Sequence, residues 1–262
     1  MVCPTPIGNL EDVTLRVLAA LREADVVACE DTRHTRVLLE RYGVSASLVS
    51  YHEHNERARA AELVGRMQEG AVVALVSDAG MPLVSDPGYA LVQGCIAAGL
   101  SVEVLPGPSA ALTALVASGL PSDAWRFAGF LPRKRGALQE VLRSPETVVA
   151  FESPRRVGAS LAVLASMDGA RPVAVCRELT KLHEEIVRGT AAELAARYAD
   201  EDPRGEIVLV IGGAPKPELD PAAVDAVRRL VDAGAKPRAA ASVVSDLTGA
   251  PANALYRELK GV

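Results

Sequence analysis

Three loops rich in glycine, proline and small polar residues follow apolar runs and could bind a small molecule. They span Thr5–Asn9, Ser77–Gly88 and Pro106–Ala110. Ligands of open α/β sheets bind outside the carboxyl ends of the strands, where glycine lets the backbone approach closely and a following helix presents free N–H groups. One such loop alone is more often only a tight turn, but three at corresponding strand ends predict a shared pocket.

The same loops lack the signatures of the common nucleotide cofactors. None contains the phosphate-binding pattern GxxxxGK[ST], and none contains the dinucleotide-binding pattern GxGxxG. We therefore expect a ligand other than ATP or NAD.

The elements that position these loops alternate along the chain between apolar runs and segments of helical period, which is typical of βαβ units in a mostly parallel sheet. In the first part of the chain the predicted strands are Val26–Cys29, Leu48–Tyr51, Ala71–Val76 and Val102–Leu105, and the predicted helices are Thr14–Leu21, Thr35–Tyr42, Arg57–Met67 and Ala110–Ala117. Only Met1–Cys3 precede the first Pro-containing turn, so we expect a truncated first strand.

A second α/β domain is expected from about Leu120, because strand-like runs resume there. These are Val148–Phe151, Val173–Cys176, Ile186–Arg188 and Ile207–Ile211. The segment Gly212–Pro221, with its prolines and glycines, is typical of a linker before short amphipathic stretches that end at Lys260. The predicted domains are therefore residues 1–119, 120–214 and a small helical tail at 215–262.

Composition limits the function classes. Of the 262 residues 49% are hydrophobic but only 3% aromatic, and the net charge of −5 argues against a protein that coats nucleic acid non-specifically, although a local basic groove remains compatible with it. The four cysteines lack metal-site spacing and are expected as small buried hydrophobes. Without a leader-like or membrane-spanning run, we expect a soluble, cytoplasmic protein.

Eight ordered segments together resemble the family of 16S rRNA cytidine 2′-O-methyltransferases, in the tetrapyrrole-methylase superfamily. The resemblance extends from about Val2 to Gly212. The segments are TPIGNLEDVTLR (Thr5–Arg16), ACEDTRHTRVLL (Ala28–Leu39), SYHEHNE (Ser50–Glu56), ALVSDAGMPLVSDPGY (Ala74–Tyr89), PGPSA (Pro106–Ala110), GFLPRK (Gly129–Lys134), FESPRR (Phe151–Arg156) and RELTK (Arg177–Lys181). The chain departs from the family pattern in its short first strand, at Met81 and at Arg156.

The resemblance implies an α/β, two-domain tetrapyrrole-methylase-like fold (class III methyltransferase) with a small C-terminal helical tail. It also implies S-adenosyl-L-methionine in the cleft between the domains, a homodimer, and a cytidine of 16S rRNA, free or in the 30S subunit, as the target. Because the sulfonium already activates the methyl group, catalysis should depend mainly on positioning, and no metal is expected.

Cofactor contacts are expected from the three loops, and the resemblance implies a superfamily cofactor loop at the one that contains Ser109 and Ala110. The predicted cofactor-binding residues are Ile7, Ser77, Asp78, Ala79, Met81, Ser109 and Ala110. Asp86 also borders the long loop, but its place in Asp-Pro-Gly is equally typical of a turn or helix-capping acid.

A ribose hydroxyl is a poor nucleophile at neutral pH, so a base or an electrostatic helper should lie nearby. Glu30, Asp31 and His34 follow a predicted strand and are the candidate catalytic residues. An ion-paired helix start explains the acids equally well, since the helix dipole favours them there.

Basic and histidine residues recur in the same segments and would give an acidic protein a basic rim for RNA phosphates. The predicted RNA-binding residues are Arg33, Arg36, His52, His54, Asn55, Arg133, Lys134, Arg155, Arg177 and Lys181. Several of them could equally be solvated surface charges.

Two other functions fit parts of the pattern. A porphyrinoid methyltransferase would share the fold, but the His-containing segments favour the RNA branch. A non-catalytic RNA-binding module would have lost cofactor binding, which the intact SDAG and PGPSA loops disfavour.

Overall fold

The computed structural model describes residues 1–200, 203–215 and 219–259. The chain forms two compact units, Met1–Ala214 and Pro215–Val262. In the described residues no helix is both long and apolar enough to cross a membrane.

The first half of the larger unit contains a parallel sheet of three strands in the order β2-β1-β3. The strands are β1 (Val26–Cys29), β2 (Leu48–Ser50) and β3 (Val73–Leu75), and the helices around them are α1 (Leu15–Glu23), α2 (Thr32–Arg41), α3 (Glu56–Gln68) and α4 (Tyr89–Ala97). The predictions that correspond to β1, β2, β3, α1, α2 and α3 are confirmed to within a few residues, whereas the sequence did not predict α4.

Strand β1 is buried along its whole length because helices cover both faces of this sheet. Val27 packs with Val17 and Leu38 on one face, whereas Val26 packs with Leu63 on the other. Alternation of side chains along a strand gives each face its own apolar core, which explains the unbroken apolar run in the sequence.

The strand predicted at Val102–Leu105 is wrong. This segment makes only an isolated bridge, in which Val104 pairs with Val2. The segment that contains Val2 cannot extend this pairing, because Pro4 follows Cys3 and proline has no backbone N–H to continue a ladder.

The second half of the larger unit contains five strands in the order β4-β5-β8-β6-β7. They are β4 (Trp125–Phe130), β5 (Thr147–Glu152), β6 (Pro172–Arg177), β7 (Glu185–Thr190) and β8 (Ile207–Ile211). Only β4 and β5 are parallel; the other neighbouring pairs are antiparallel. The expectation of a mostly parallel sheet is therefore wrong here, because β8 inserts between β5 and β6 and a short loop joins β6 to β7.

Helices α6 (Arg135–Leu142), α7 (Val157–Met167) and α8 (Ala191–Arg197) cover one face of this sheet, and α5 (Ala110–Ser118) covers the other. Ala114 and Leu115 of α5 pack with Val149. Helix α5 thus precedes the boundary expected at residue 120 but packs on the second sheet. The loop before α5 therefore lies next to both halves of the larger unit. The division of residues 1–214 into two domains stays a prediction.

The smaller unit contains the helices α9 (Pro221–Asp232), α10 (Pro237–Thr248) and α11 (Ala252–Glu258). Val227, Val244 and Leu255 form its own small core. The predicted helical tail is confirmed, while its expected end at Lys260 lies outside the described residues.

Candidate functional site

The main cavity of the larger unit, about 360 Å³ in volume, lies where the three loops meet the second sheet. The first half contributes Ile7, residues 79–81 and 84–86, and Ser109–Ala111. The second half contributes Phe130, residues 151–154, Cys176, Leu179 and residues 205–208. The predicted meeting of the three loops is confirmed, and the volume falls within the range of about 300–1,000 Å³ usual for ligand sites.

Backbone hydrogen bonds hold the first two loops together. Thr5 and Gly80 exchange N–H···O bonds of 2.9 and 3.0 Å, and the Thr5 hydroxyl donates to the Ser77 carbonyl over 2.9 Å. Gly80 has φ of +82°, a conformation that a side chain rarely adopts, and a Cβ there would lie 3.3 Å from Ile7. Glycine is therefore required for this close approach at the cavity wall.

A smaller cavity of about 240 Å³ adjoins the main one. The two share Ile7, Ala79 and Glu206 as wall residues. His34, Ser77, Asp78 and Lys181 also line the smaller cavity. Ligands bound in the two cavities would therefore share these residues as neighbours.

The predicted cofactor residues divide between the two cavities. Ile7, Ala79, Met81, Ser109 and Ala110 line the main cavity. Ser77 and Asp78 line the smaller one instead. The Ser109 hydroxyl also accepts the N–H of Leu112 and so caps the start of α5. The first residues of this helix, Ala110 and Ala111, line the main cavity.

Of the three candidate catalytic residues, His34 lines the smaller of these two cavities, whereas Glu30 and Asp31 line neither. Asp31 is the N-cap of α2, accepting the N–H of Arg33 over 2.8 Å, and its carboxylate also pairs with the Arg33 guanidinium over 2.7 Å. These hydrogen bonds hold the pKa of Asp31 far below its usual value. The helix-start alternative is therefore the better interpretation of Asp31, because so weak a base accepts a proton poorly.

Glu30 is exposed and lines neither cavity. Partial desolvation of its carboxyl group, followed by repulsion from Asp78, raises its pKa above the usual value. Asp78 in turn accepts the backbone N–H of Asp31 over 3.0 Å. Glu30 and Asp31 after β1 and Asp78 after β3 therefore lie close enough to interact electrostatically beside the cavities.

Asp86 lines the main cavity, a position that its Asp-Pro-Gly context did not distinguish from an ordinary turn. Burial raises its pKa to about 6, and the carboxylates of Glu30 and Asp78 add to the shift, whereas the Ser77 hydroxyl opposes it. An acid that titrates near neutral pH inside a cavity is a candidate functional group.

Sequence reasoning assigned no site role to the wall residues Phe130, Phe151 and Glu152, although they lie within the segments GFLPRK and FESPRR. Phe130 and Phe151 pack edge to face, with ring centroids 5.5 Å apart. Glu152 is buried and accepts hydrogen bonds from the Ser160 hydroxyl at 2.5 Å and from the Ser153 N–H at 2.7 Å. This wall therefore combines the aromatic surface of Phe130 and Phe151 with the Glu152 carboxylate, whose oxygens already accept hydrogen bonds within the protein.

Most of the predicted RNA-binding cations lie on the surface. Arg33, Arg36, Arg133, Lys134 and Arg155 are exposed. Within the described part of the chain, Arg33 pairs with Asp31, and the other four make no ion pair. Those four are therefore available to an anionic partner.

Arg177 and Lys181 are engaged within the protein instead. Arg177 pairs with Glu185 over 3.1 Å. Lys181 donates to Glu178 and to Glu206, both at 2.9 Å. Binding of RNA phosphates by either side chain would first have to break these ion pairs, so the structure favours an internal role for both.

The histidine cluster is also partly structural. The rings of His52 and His54 lie 5.9 Å apart. Asn55 accepts the His52 N–H over 2.9 Å and donates to the Ser50 carbonyl over 3.1 Å. The amide of Asn55 therefore stabilises the turn before α3, while His54 is exposed.

Among the described residues, no group of three or more His, Cys, Asp or Glu side chains could hold a metal ion. The four cysteines are free and buried, as expected.

Residues 2–195 match the family model for Tetrapyrrole (Corrin/Porphyrin) Methylases. The chain is 50% identical to Ribosomal RNA small subunit methyltransferase I of Mesorhizobium japonicum over 97% of this chain and 89% of the relative. It is 44% identical to the protein of that name from Escherichia coli O157:H7, over 98% of this chain and 92% of the relative.

Two solved structures share the fold. The methyltransferase CobJ superposes with a TM-score of 0.61 at 23% identity, covering 84% of this chain and 96% of its own. Uroporphyrin-III C-methyl transferase from Thermus thermophilus complexed with S-adenyl homocysteine superposes with a TM-score of 0.56 at 22% identity, covering 80% of this chain and 95% of its own. Since the family model covers most of the chain and the relatives align along nearly all of it, the chain belongs to the tetrapyrrole methylase family, in the group of ribosomal RNA small subunit methyltransferase I.

Proposed function

We propose that this protein transfers the methyl group of S-adenosyl-L-methionine to the 2′-hydroxyl of cytidine 1402 in 16S rRNA of the small ribosomal subunit. The observation that carries the proposal is a pair of cavities that share wall residues at the predicted loops. The chain that forms them matches rRNA small subunit methyltransferase I along almost its full length. One cavity would take the methyl donor and the other the target nucleotide.

The main cavity fits S-adenosyl-L-methionine in size and in chemistry. Ile7, Met81 and Phe151 offer apolar surface for the adenine and the thioether carbons. Ser109, Ala110 and the start of α5 would hold the polar end, because the first N–H groups of a helix favour a carboxylate. The relative with bound S-adenyl homocysteine has the same fold, which supports this choice of ligand.

The smaller cavity would hold the target ribose. Ser77, Asp78 and His34 line it, and Ala79 lies on its border with the main cavity. When bound, the sulfonium of the donor supplies an activated methyl group, so the protein's contribution is to orient the hydroxyl towards it and to exclude water. The chemistry needs no metal.

The exposed cations would bind the rRNA backbone. Arg133, Lys134 and Arg155 lie on the second half of the larger unit, and Arg36 lies on α2 of the first half. Side chains without an internal ion pair can neutralise phosphates without first giving up a partner within the protein. We also propose that the protein is a homodimer in the cytoplasm, which light scattering on the purified protein would test.

Methyl transfer by the purified protein tests the proposal. The protein, donor carrying a labelled methyl group, and either free 16S rRNA or assembled 30S subunits lacking the modification would be incubated and the RNA digested. Label in a 2′-O-methylcytidine is the expected result. Label in a porphyrinoid substrate offered in parallel, with none in RNA, would favour the tetrapyrrole branch instead.

A further inference from the structure

Three carboxylates line the main cavity, and the structure neutralises two of them. Glu152 pairs with Arg156 over 3.2 Å, and Glu206 pairs with Lys181 over 2.9 Å. Asp86 is the third, and no basic side chain of the described residues forms an ion pair with it. A carboxylate without a counter-ion remains a base, whereas the ion pairs of Glu152 and Glu206 stabilise their charged forms.

The groups that face Asp86 are the Ser77 hydroxyl and the carboxyl groups of Glu30 and Asp78. They come from the ends of β1 and β3. Burial and the two neighbouring acids raise its pKa to about 6, so the group is mostly ionised at neutral pH yet accepts a proton readily. A base is most effective when its pKa lies near the working pH.

The backbone around Asp86 is held in an uncommon conformation. Leu83 and Ser85 have φ of 70° and 68°, in the left-handed region that such residues rarely occupy. The Glu56 carboxylate accepts the N–H groups of Gly88 and Ala90 over 2.9 and 3.1 Å and so fixes the end of this loop. Strain maintained by the surrounding structure is typical of residues placed for function.

We propose that Asp86 is the base of the methyl transfer and accepts the proton of the target hydroxyl. This inference deepens the proposed function and rests on it. The hydroxyl oxygen forms a bond to the methyl carbon, the carbon–sulfur bond breaks with its electron pair going to sulfur, and the O–H proton passes to the Asp86 carboxylate. Solvent then removes this proton.

The other acids suit this role less well. Asp31 is a strongly ion-paired helix cap, and Glu30 lines neither cavity. Asp78 lines the smaller cavity but already accepts the Asp31 N–H over 3.0 Å, and His34 lines the smaller cavity but not the main one. Asp86 faces the Ser77 hydroxyl of the smaller cavity's wall from the main cavity, so it lies where the donor and the target hydroxyl would meet. Asp86 combines a place in the cavity wall, no ion-pair partner among the described residues and a basicity near neutrality.

Substitution Asp86→Asn tests the inference, with Asp123→Asn, an exposed acid outside both cavities, as the matched control. With saturating donor and RNA, we expect turnover by Asp86→Asn to fall about 100-fold or more, whereas the affinity for S-adenosyl-L-methionine measured by calorimetry changes less than about threefold. The control should behave as the unaltered enzyme in both assays.

Two further measurements do not depend on the variant. The turnover of the unaltered enzyme should fall with acid around pH 6, and the Asp86 carboxyl carbon should titrate in the same range by nuclear magnetic resonance in protein without any ligand. A flat turnover between pH 5 and 8, or a carboxyl that titrates near 4, would overturn the inference.

The outcomes separate the inference from the function it rests on. Turnover by Asp86→Asn within a few-fold of normal would reject Asp86 as the base and leave the methyltransferase intact. A fall in donor affinity as large as the fall in turnover would make Asp86 a donor ligand instead. Failure of the unaltered enzyme to methylate rRNA would reject the proposed function and the inference together.

Discussion

At the scale of single residues, two aspartates of the same region have opposite chemistry because of their surroundings. Asp31 accepts a helix N–H and pairs with Arg33, which stabilises its charged form. Asp86 is half-buried beside other acids, which destabilises its charged form. Residue type made both of them candidates, and only burial and partners decide between a structural acid and a reactive one.

The raised pKa of Asp86 predicts a cost in stability. Its usual pKa is 3.8, and in the folded protein it is about 6. The folded state therefore binds this proton more tightly than the unfolded state does, so stability falls as the pH rises from about 4 to about 6 and the deficit persists above that range.

Asp86→Asn should accordingly raise the free energy of unfolding at pH 7.5 by about 1 kcal/mol, after allowance for solvent screening of a half-buried group. Below the usual pKa of 3.8 the gain should vanish, because the aspartate is then neutral in both states. Urea unfolding at the two pH values measures this difference. Equal stability of variant and parent at pH 7.5 would mean that Asp86 carries no such cost.

At the scale of elements, the loop between β6 and β7 packs against the first glycine-containing loop. The Asn9 N–H donates to the Thr180 hydroxyl over 3.1 Å. A Cβ on Gly8 would lie 2.5 Å from Lys181 Cγ and 3.0 Å from the Leu179 carbonyl oxygen. This packing joins a loop of the first sheet to a loop of the second beside both cavities.

Gly8→Ala should therefore displace the two loops. We expect the free energy of unfolding to fall by about 1–3 kcal/mol from overpacking, together with weaker binding of S-adenosyl-L-methionine. Gly136→Ala in α6 is the control, since a Cβ there meets nothing within 4 Å and alanine favours a helix. Calorimetric titration and thermal unfolding of both variants would measure the effects, and unchanged donor binding by Gly8→Ala would show that the packing of these loops does not position the site.

The sequence predicts those elements whose signal is local. Unbroken apolar runs identified β1 and β8, and glycine and proline placed the loops that meet at the main cavity. The insertion of β8 between β5 and β6 depends on residues distant in sequence, so no run of residues indicated it. The sequence did not predict Asp86 as a base candidate for a similar reason, because its burial arises from elements that pack around it only after folding.

At the scale of the whole molecule, an acidic protein with net charge −5 is expected to bind an anionic polymer. Arg36, Arg133, Lys134 and Arg155 resolve this apparent conflict, because they are exposed and make no ion pair in the described part of the chain. Local charge, not net charge, then governs the encounter with rRNA.

Arg133→Ala should weaken RNA binding and reduce the slope of log affinity against log salt by about one unit for each phosphate that the guanidinium neutralises. The affinity for S-adenosyl-L-methionine should not change. Arg143→Ala is the matched control, because Arg143 is also exposed but pairs with Glu140 over 3.3 Å. An equal change of slope in both variants would indicate a general charge effect instead of a specific phosphate interaction.

The most direct test of the methyltransferase account is mass-spectrometric mapping of 16S rRNA from cells with and without this protein. The account predicts that one 2′-O-methylcytidine in the small-subunit rRNA disappears without the protein and returns when the gene is restored, but does not return with the Asp86→Asn variant. An identical set of ribose methylations in both strains would contradict it.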